Sequence, residues 1–362
     1  MKKITSMILA LVFAVSVIGS ASAKTLKIQL TFPKTSYDGQ IVKMWTDRVT
    51  KLTRGELKFE LLSKGEVVGM KETLEAVDKG LVDGGAAWTH YWSNYHPAAM
   101  LFGSPVAGGG IGLSTKSWLA WYFDNGGKEL YDQLWSEMGM NVKGFVMASS
   151  GPEALGWFKE PIKNMDDFRK YRFRTPPGIP GQTYKDIGIA SVSLSGGDIL
   201  PALEKGTIDA AEWCCPKPDS VFGFQKVLKN YYLQGLHQNV VNGDIYINGD
   251  VYNSLTDHQK YAMEVASEAM ITRKITNRAV ENGKALIDLT ENHGVKLWDT
   301  PADYFTEYMN AAQATLKKNA ASNAFFKEVY EHMTAHAKIV VPFIAQMETS
   351  DASIGSAFAA QQ

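Results

Sequence analysis

Leu74-Glu-Ala-Val-Asp-Lys-Gly-Leu-Val-Asp83 is echoed by Leu200-Pro-Ala-Leu-Glu-Lys-Gly-Thr-Ile-Asp209, with Leu, Ala, Lys, Gly and Asp in register. In each copy a helical pattern ends at a glycine, Gly80 or Gly206, placed where a left-handed residue stops a helix. A short run ending in small residues follows, over 82–87 and 207–211, and reads as a strand. One helix-turn-strand unit used twice, far apart in one chain, predicts two similar α/β lobes. Two lobes imply a cleft, and clefts between domains are where small ligands bind.

Outward from the first copy, residues 26–30 and 57–61 read as strands and 41–52 as a helix. This β-α-β-α-β order predicts a largely parallel sheet. Residues 88–105 carry His90, Tyr91, Trp92, Tyr95 and Phe102 without clean periodicity and read as a loop-rich wall; Gly108 to Gly112 reads as a flexible turn. Around the second copy, residues 142–147 are a strand crossing into the second lobe, 171–174 a strand before the Pro176-Pro177 break, and 244–248 a returning strand with Gly249 as a hinge. Thr256-Asp-His-Gln259 fits a capping box and opens a helical pattern running to about Asn292, with Gly294 as its stop. At 1.5 Å per residue this helix is about 50 Å long, enough to lie across both lobes. Pro301 starts a further helical region to about Met347, and the tail 348–362 reads as frayed.

The N-terminus indicates export. Lys2 and Lys3 precede an apolar run over 7–18, and Ala21-Ser22-Ala23 supplies a small-residue cleavage site. The run is too short to span a membrane. With no cysteine after the cleavage point, no lipid anchor is expected, and the periplasm is the expected compartment. The expected division is a signal peptide over 1–23, a first lobe over 24–147, a second over 148–238, a return crossing over 239–255, and the long helix with a C-terminal helical region over 256–362. Removing Lys2 and Lys3 from the 37 basic residues leaves 35 against 38 acidic, a net of −3. No basic nucleic-acid footprint is present. Cys214 and Cys215 are adjacent, which favours two free thiols, with a vicinal disulfide as the alternative in an oxidising compartment.

Enzyme motifs are missing: no HExxH, CxxC, Gly-x-Ser-x-Gly or P-loop occurs. Arg172 and Arg174 share one face of a strand, and Arg174 precedes the Pro-Pro break. A guanidinium fork there matches a carboxylate, although a surface arginine reads the same way. Glu212-Trp213 follows the second repeat strand, at the end of a parallel strand where ligand crevices form. An ordinary loop acid is the alternative.

These residues together resemble the extracytoplasmic solute-binding proteins of TRAP transporters, DctP type. The likeness rests on Asp209-Ala-Ala-Glu-Trp213 with the Gly197 to Gly206 segment before it, Gly65-Glu66-Val67-Val68, Gly156-Trp157-Phe158 and Phe173-Arg174-Thr175-Pro176. It is greatest for the branch binding 2-oxo acids and related monocarboxylates. The resemblance implies a two-lobe α/β periplasmic binding protein fold with a ligand cleft and a long helix spanning both lobes. It further implies no catalysis, and partnership with the small and large TRAP permease subunits. Arg174 would hold the substrate carboxylate. Glu153 stands where the branch has Gln, contacting substrate and cation, and Gln238 in Leu236-His237-Gln238 stands where the branch has Glu. Glu212, with the main chain of Trp213, would complete the cation site, so that Glu153, Arg174, Trp213 and Gln238 meet substrate and Glu153, Glu212, Trp213 and Gln238 meet metal. Glu153 and Glu212 against Arg174 and a bound monocarboxylate sum to −2, which an enclosed site tolerates with a cation; oxygen donors point to Na⁺ or Ca²⁺. Pyruvate-like 2-oxo acids lead the expectation, with lactate, other 2-hydroxy acids or a small sulfonate as alternatives. A sensor subunit reads the same from sequence, and a metal-dependent lyase or hydrolase is the remote alternative. A homodimer through the C-terminal helix is open.

Overall fold

The computed structural model describes residues 23–194 and 196–361; the signal peptide expected over 1–23 lies, but for Ala23, outside the described residues. Its strands in chain order are β1 (Lys24–Leu30), β2 (Leu57–Leu62), β3 (Gly84–Trp88), β4 (Val142–Ser150), β5 (Gly156–Phe158), β6 (Arg172–Thr175), β7 (Ala190–Ser193), β8 (Ala210–Ala211), β9 (Asn230–Tyr232), β10 (Val241–Asn248) and β11 (Lys296–Trp298). They form two sheets, ordered β2-β1-β3-β10-β4 and β11-β9-β5-β8-β6-β7. The two repeat copies supply one strand to each sheet, β3 and β8. Both repeat helices, Thr73–Asp78 and Gly196–Glu204, are followed by glycines in the left-handed region, Gly80 at φ 69° and Gly206 at φ 66°.

Each sheet is mixed, a correction to the largely parallel expectation. In the first, β1 pairs in parallel with β2 and β3, while β10 runs antiparallel to β3 and β4. In the second, β6 pairs in parallel with β7 and β8, and β5 runs antiparallel to β8 and β9. The antiparallel pair β4 and β10 carries the chain out of the first lobe and back. An irregularity in their register falls between Gly243 and Asp244.

The long helix, Asp257–His293, begins at the Thr256–Gln259 capping box and ends at Gly294. It packs on β4 and on the Tyr37–Leu52 helix of the first lobe, then on the Pro216–Phe222 helix of the second. The C-terminal helices make another bridge. Ala302–Ser322 lies on the second lobe's Ile179–Asp186 helix, and Ala324–Ala359 lies on Thr115–Asp124 and Gly127–Glu137 of the first. The largest apolar core therefore runs between lobes, joining Trp118, Trp121 and Tyr131 to Phe158, Phe173 and Tyr184 with Tyr304, Phe325 and Phe326. Burial of each such ring contributes about 1.5–3 kcal/mol.

Local expectations need three further corrections. The segment from Trp88 to Pro105 contains a 3-10 turn at Thr89–Trp92 and a helix at Ala99–Gly103, because its aromatics are buried in that inter-lobe core. Gly108, Gly109, Gly110 and Gly112 all have positive φ, and a Cβ on Gly108 would meet Leu113 backbone at 2.3 Å, so the turn is close-packed. The tail expected to fray is helical to Ala359, although its residues from Asp351 on are exposed.

Candidate functional site

The site lies where the ends of β6 and β8 meet the segment entering β5. β6 places Arg174 opposite Ala211 of β8, directly before Glu212. Both side chains are buried, and they form an ion pair through Nη1 and Oε1. Nη1 also donates to the Glu212 main-chain oxygen at 2.9 Å, while Nε and Nη2 donate to Leu194 O at 3.1 and 3.0 Å. The guanidinium carbon sits 5.0 Å from the Trp213 ring, which packs on Phe222. A Cβ on Gly196 would come within 2.9 Å of that indole, so only glycine leaves room for it there.

Glu153 is 5% exposed and, among the described residues, its carboxylate makes no hydrogen bond. Burial first, and then the nearby Glu212 charge, push its carboxyl well above the ordinary range; the Arg278 and Arg174 charges act the other way. Backbone bonds place it: Glu153 N donates to Gln238 O at 3.1 Å and Ala154 N to Cys214 O at 2.8 Å. Arg278 of the long helix donates to Gly151 O and Pro152 O just upstream, at 3.1 and 2.8 Å.

Glu153, Glu212 and His237 each offer an oxygen or nitrogen within 4.8 Å of the others, and all three are buried. Both nitrogens of His237 are engaged, Nε2 with Glu212 Oε2 at 3.3 Å and Nδ1 with Tyr184 Oη at 3.2 Å. Tyr184 Oη meets Tyr304 Oη at 3.1 Å, and Tyr304 Oη accepts from Leu236 N at 3.1 Å. One set of directions satisfies this chain: Leu236 N–H to Tyr304, Tyr304 to Tyr184, Tyr184 to Nδ1, and Nε2–H to Glu212. In that arrangement His237 orients a carboxylate and is not itself free to ligate a cation.

Among the residues expected from sequence, Glu153, Arg174, Glu212 and Trp213 share this corner. Gln238 reaches it through its backbone, while its side-chain amide turns to Ser104 Oγ at 3.2 Å. His237 was missed, and its only signal was its place beside Gln238 in the segment already singled out. Cys214 and Cys215 are paired as a disulfide, correcting the expectation of free thiols. Their sequence separation of 1 argued against pairing, but the loop after Trp213 turns the two side chains to the same side.

Charges of this corner reach a first-lobe tyrosine. Burial raises the Tyr91 phenol, and the Asp38, Arg174 and Glu153 charges also act on it. Lys274 of the long helix pairs with Asp38 at 2.9 Å and lies 4.1 Å from the Tyr37 ring centroid. A Cβ on Gly178 of the second lobe would come 3.4 Å from Met100 Sδ of the first.

Two α/β lobes joined by crossing strands, with buried acids and one arginine where they meet, define a solute-binding protein of the two-lobe kind. Residues 30–323 match the DctP family, described as bacterial extracellular solute-binding protein, family 7, and the chain belongs to that family. It is a receptor family, so the chain is a binding protein and not an enzyme. Over 296 residues it is 32% identical to the monocarboxylate 2-oxoacid-binding periplasmic protein of Nostoc sp. PCC 7120, covering 80% of this chain and 78% of that one. A TRAP transporter solute-binding protein from Bordetella bronchiseptica, with copurified calcium and picolinate in its active site, superposes with TM-score 0.85 at 25% identity, covering 94% of this chain and 99% of that one. A TRAP periplasmic protein from Pseudoalteromonas atlantica with bound sodium and pyruvate shares the fold at TM-score 0.82 and 21% identity, over 91% of this chain and 99% of that one. No helix among the described residues is long and apolar enough to cross a membrane.

Proposed function

We propose that this chain is the periplasmic receptor of a TRAP system, taking a pyruvate-like 2-oxo monocarboxylate together with Na⁺ or Ca²⁺ and delivering it to the sodium-coupled permease. The observation that carries the reading is Glu153, a buried carboxylate without a hydrogen bond among the described residues, beside the Arg174–Glu212 pair. With both acids ionised, two buried carboxylates and one guanidinium make a net negative corner, which is costly to keep out of water unless positive charge is supplied. The same cost pushes the Glu153 carboxyl toward its protonated form until a cation takes the place of the proton. The donor set fits a hard cation: Glu153, Glu212 and the main chain of Trp213 would hold it, and Gln238 would serve through its backbone neighbour Glu153. A bound cation supplies charge neutralisation and a coordination position for the ligand oxygens. Arg174 gives four of its five N–H groups to Leu194 O and Glu212. It would therefore hold the ligand carboxylate through the remaining Nη2 proton and its charge, with Trp213 packed against the guanidinium. The Nostoc relative's 2-oxoacid binding and the cations of the Bordetella and Pseudoalteromonas proteins support the same reading.

Calorimetry with pyruvate, at millimolar Ca²⁺ and then after exhaustive chelation in sodium-free buffer, tests it. Affinity should fall at least tenfold on cation removal (~1.4 kcal/mol); unchanged affinity rejects the cation. Arg174→Ala should abolish binding at micromolar pyruvate, and near-normal binding rejects the clamp.

A homodimer through the C-terminal helix is part of the same proposal. Ile339, Phe343, Met347, Ile354 and Phe358 are all exposed along Ala324–Ala359 and recur at helical spacing. Light scattering that finds only monomer at tens of micromolar rejects this element.

A further inference from the structure

We propose that the Cys214–Cys215 disulfide is a redox control on ligand affinity, its closed form holding the loop of Glu212 and Trp213 in binding geometry. This inference rests on the receptor reading above. The disulfide joins the two residues that directly follow Glu212 and Trp213. A bridge across a single peptide restricts the backbone of both residues it joins, and therefore the direction of the Cys214 carbonyl and the Cys215 amide between them, with the Cys214 amide directly before. Those groups bind the rest of the site. Cys214 O accepts from Ala154 N at 2.8 Å, which tethers the Glu153 segment to the loop. The amides of Cys214 and Cys215 donate to Asp219 Oδ1 at 3.0 and 3.1 Å. Asp219 is itself fixed by Trp157 Nε1 and Tyr231 Oη, each 2.9 Å from Oδ2. The two acids of the candidate site thus hang from one short segment, and the disulfide limits what that segment can do.

The bridge is reachable. Cys214 is half-buried, whereas Cys215 is 4% exposed. A dithiol reductant can attack Cys214 Sγ through its thiolate, breaking the S–S bond and releasing the Cys215 thiolate. The second thiol of the reductant then closes on the mixed disulfide, releasing the Cys214 thiolate. Two electrons pass to the protein, the reductant leaves as its own disulfide, and the two thiolates take up the two protons the dithiol gave up. Reduction frees the backbone of the loop, and ligand binding must then order it again.

The test uses the full mature chain. Intact mass of protein purified in air should be two hydrogens below that of the reduced chain. The Kd for pyruvate with Ca²⁺ present should rise about tenfold when a dithiol is added, equivalent to ~1.4 kcal/mol. A C214S/C215S double variant should bind with the weaker Kd whether or not dithiol is present, with an unchanged circular dichroism spectrum. That variant also carries the comparison if reduced wild-type protein loses its fold. Equal Kd in the oxidised and reduced states, or equal Kd in wild type and variant, overturns the redox control and leaves the receptor reading standing. No binding of any acid in a monocarboxylate panel by the oxidised protein sinks the receptor reading, and this inference with it.

Discussion

Gln29 and Arg174 occupy matching places in the two lobes. Each lies on the middle strand of a three-stranded parallel unit, β2-β1-β3 or β7-β6-β8, and each is paired with the second small residue of the repeat strand, Gly85 or Ala211. Each reaches sideways to a carbonyl just past the end of the outer strand: Gln29 Nε2 to Ser63 O at 2.8 Å, Arg174 to Leu194 O at 3.1 and 3.0 Å. The next residue of the repeat strand then differs. It is Ala86 in the first lobe and Glu212 in the second. A neutral amide needs no counter-charge, so alanine suffices; a buried guanidinium needs a carboxylate. One scaffold thus appears in a neutral and a charged form. The second lobe carries the buried ion pair on which the proposed ligand site is built.

The contrast is broken most severely at Glu212. Glu212→Ala leaves Arg174 buried without its carboxylate and should cost about 3–5 kcal/mol of stability, read by urea denaturation, with ligand binding lost. Arg174→Gln combined with Glu212→Ala copies the first lobe's Gln29 and Ala86. That double variant should regain most of the lost stability and still not bind. If it stays as unstable as the single variant, the matching of the two lobes is superficial.

A second contrast lies in two buried aspartates. Asp244 of the first lobe accepts from Tyr131 Oη at 2.7 Å and Thr89 Oγ1 at 3.0 Å, and burial pushes its carboxyl up to about 7. Asp219 of the second lobe is equally buried but accepts four hydrogen bonds, from Trp157, Tyr231, Cys214 and Cys215, and rises only to about 6. Donors favour the charged form, so more donors oppose the burial effect further. Both groups bind their proton more tightly folded than unfolded. Their contribution is greatest below the unfolded value of about 4 and is lost as pH rises, by about 7 for Asp244 and about 6 for Asp219. Asp244→Asn should flatten thermal stability between pH 4 and 7, because the Tyr131 and Thr89 hydroxyls can turn to accept from the new amide. Asp219→Asn should destabilise at every pH, since Trp157 Nε1 can only donate. An unaltered pH profile in Asp244→Asn rejects the assignment.

The sequence carried the repeat and the long helix because both are written in local chemistry. Gly80, Gly206 and Gly294 mark helix ends, and Thr256 with Gln259 marks a beginning. Glu212 and Trp213 were singled out by their place after the second repeat strand, and Arg174 by its strand end before Pro176-Pro177, with the family resemblance joining them; the structure brings the three side chains together. What stayed hidden depends on contacts between distant segments. His237 acts through Tyr184 and Tyr304, 53 and 67 residues away by sequence, so no local spacing reveals it. The Gln238 amide is taken by Ser104 of the other lobe. The pairing of Cys214 with Cys215 depends on a loop shaped by Asp219 and Ala154.

The smallest effect sharpens the comparison most, because it isolates what the two copies still share. Asp83 and Asp209 close the repeat at the same register, each opposite the residue before the first paired position of the middle strand. Asp83 Oδ2 accepts from Lys27 N at 2.8 Å, and Asp209 Oδ2 accepts from Arg172 N at 3.4 Å. Each carboxylate therefore satisfies a backbone amide at the edge of the strand ladder. Asp209 adds a side-chain pair with Arg172 at 2.8 Å, but Arg172 is half exposed, and such pairs contribute little. Asp83→Ala and Asp209→Ala should each cost about 1 kcal/mol in denaturant titrations, with pyruvate affinity unchanged in both. A loss confined to one of them, or a change in affinity at Asp209 alone, would mean that the copies have diverged in structure as well as in charge.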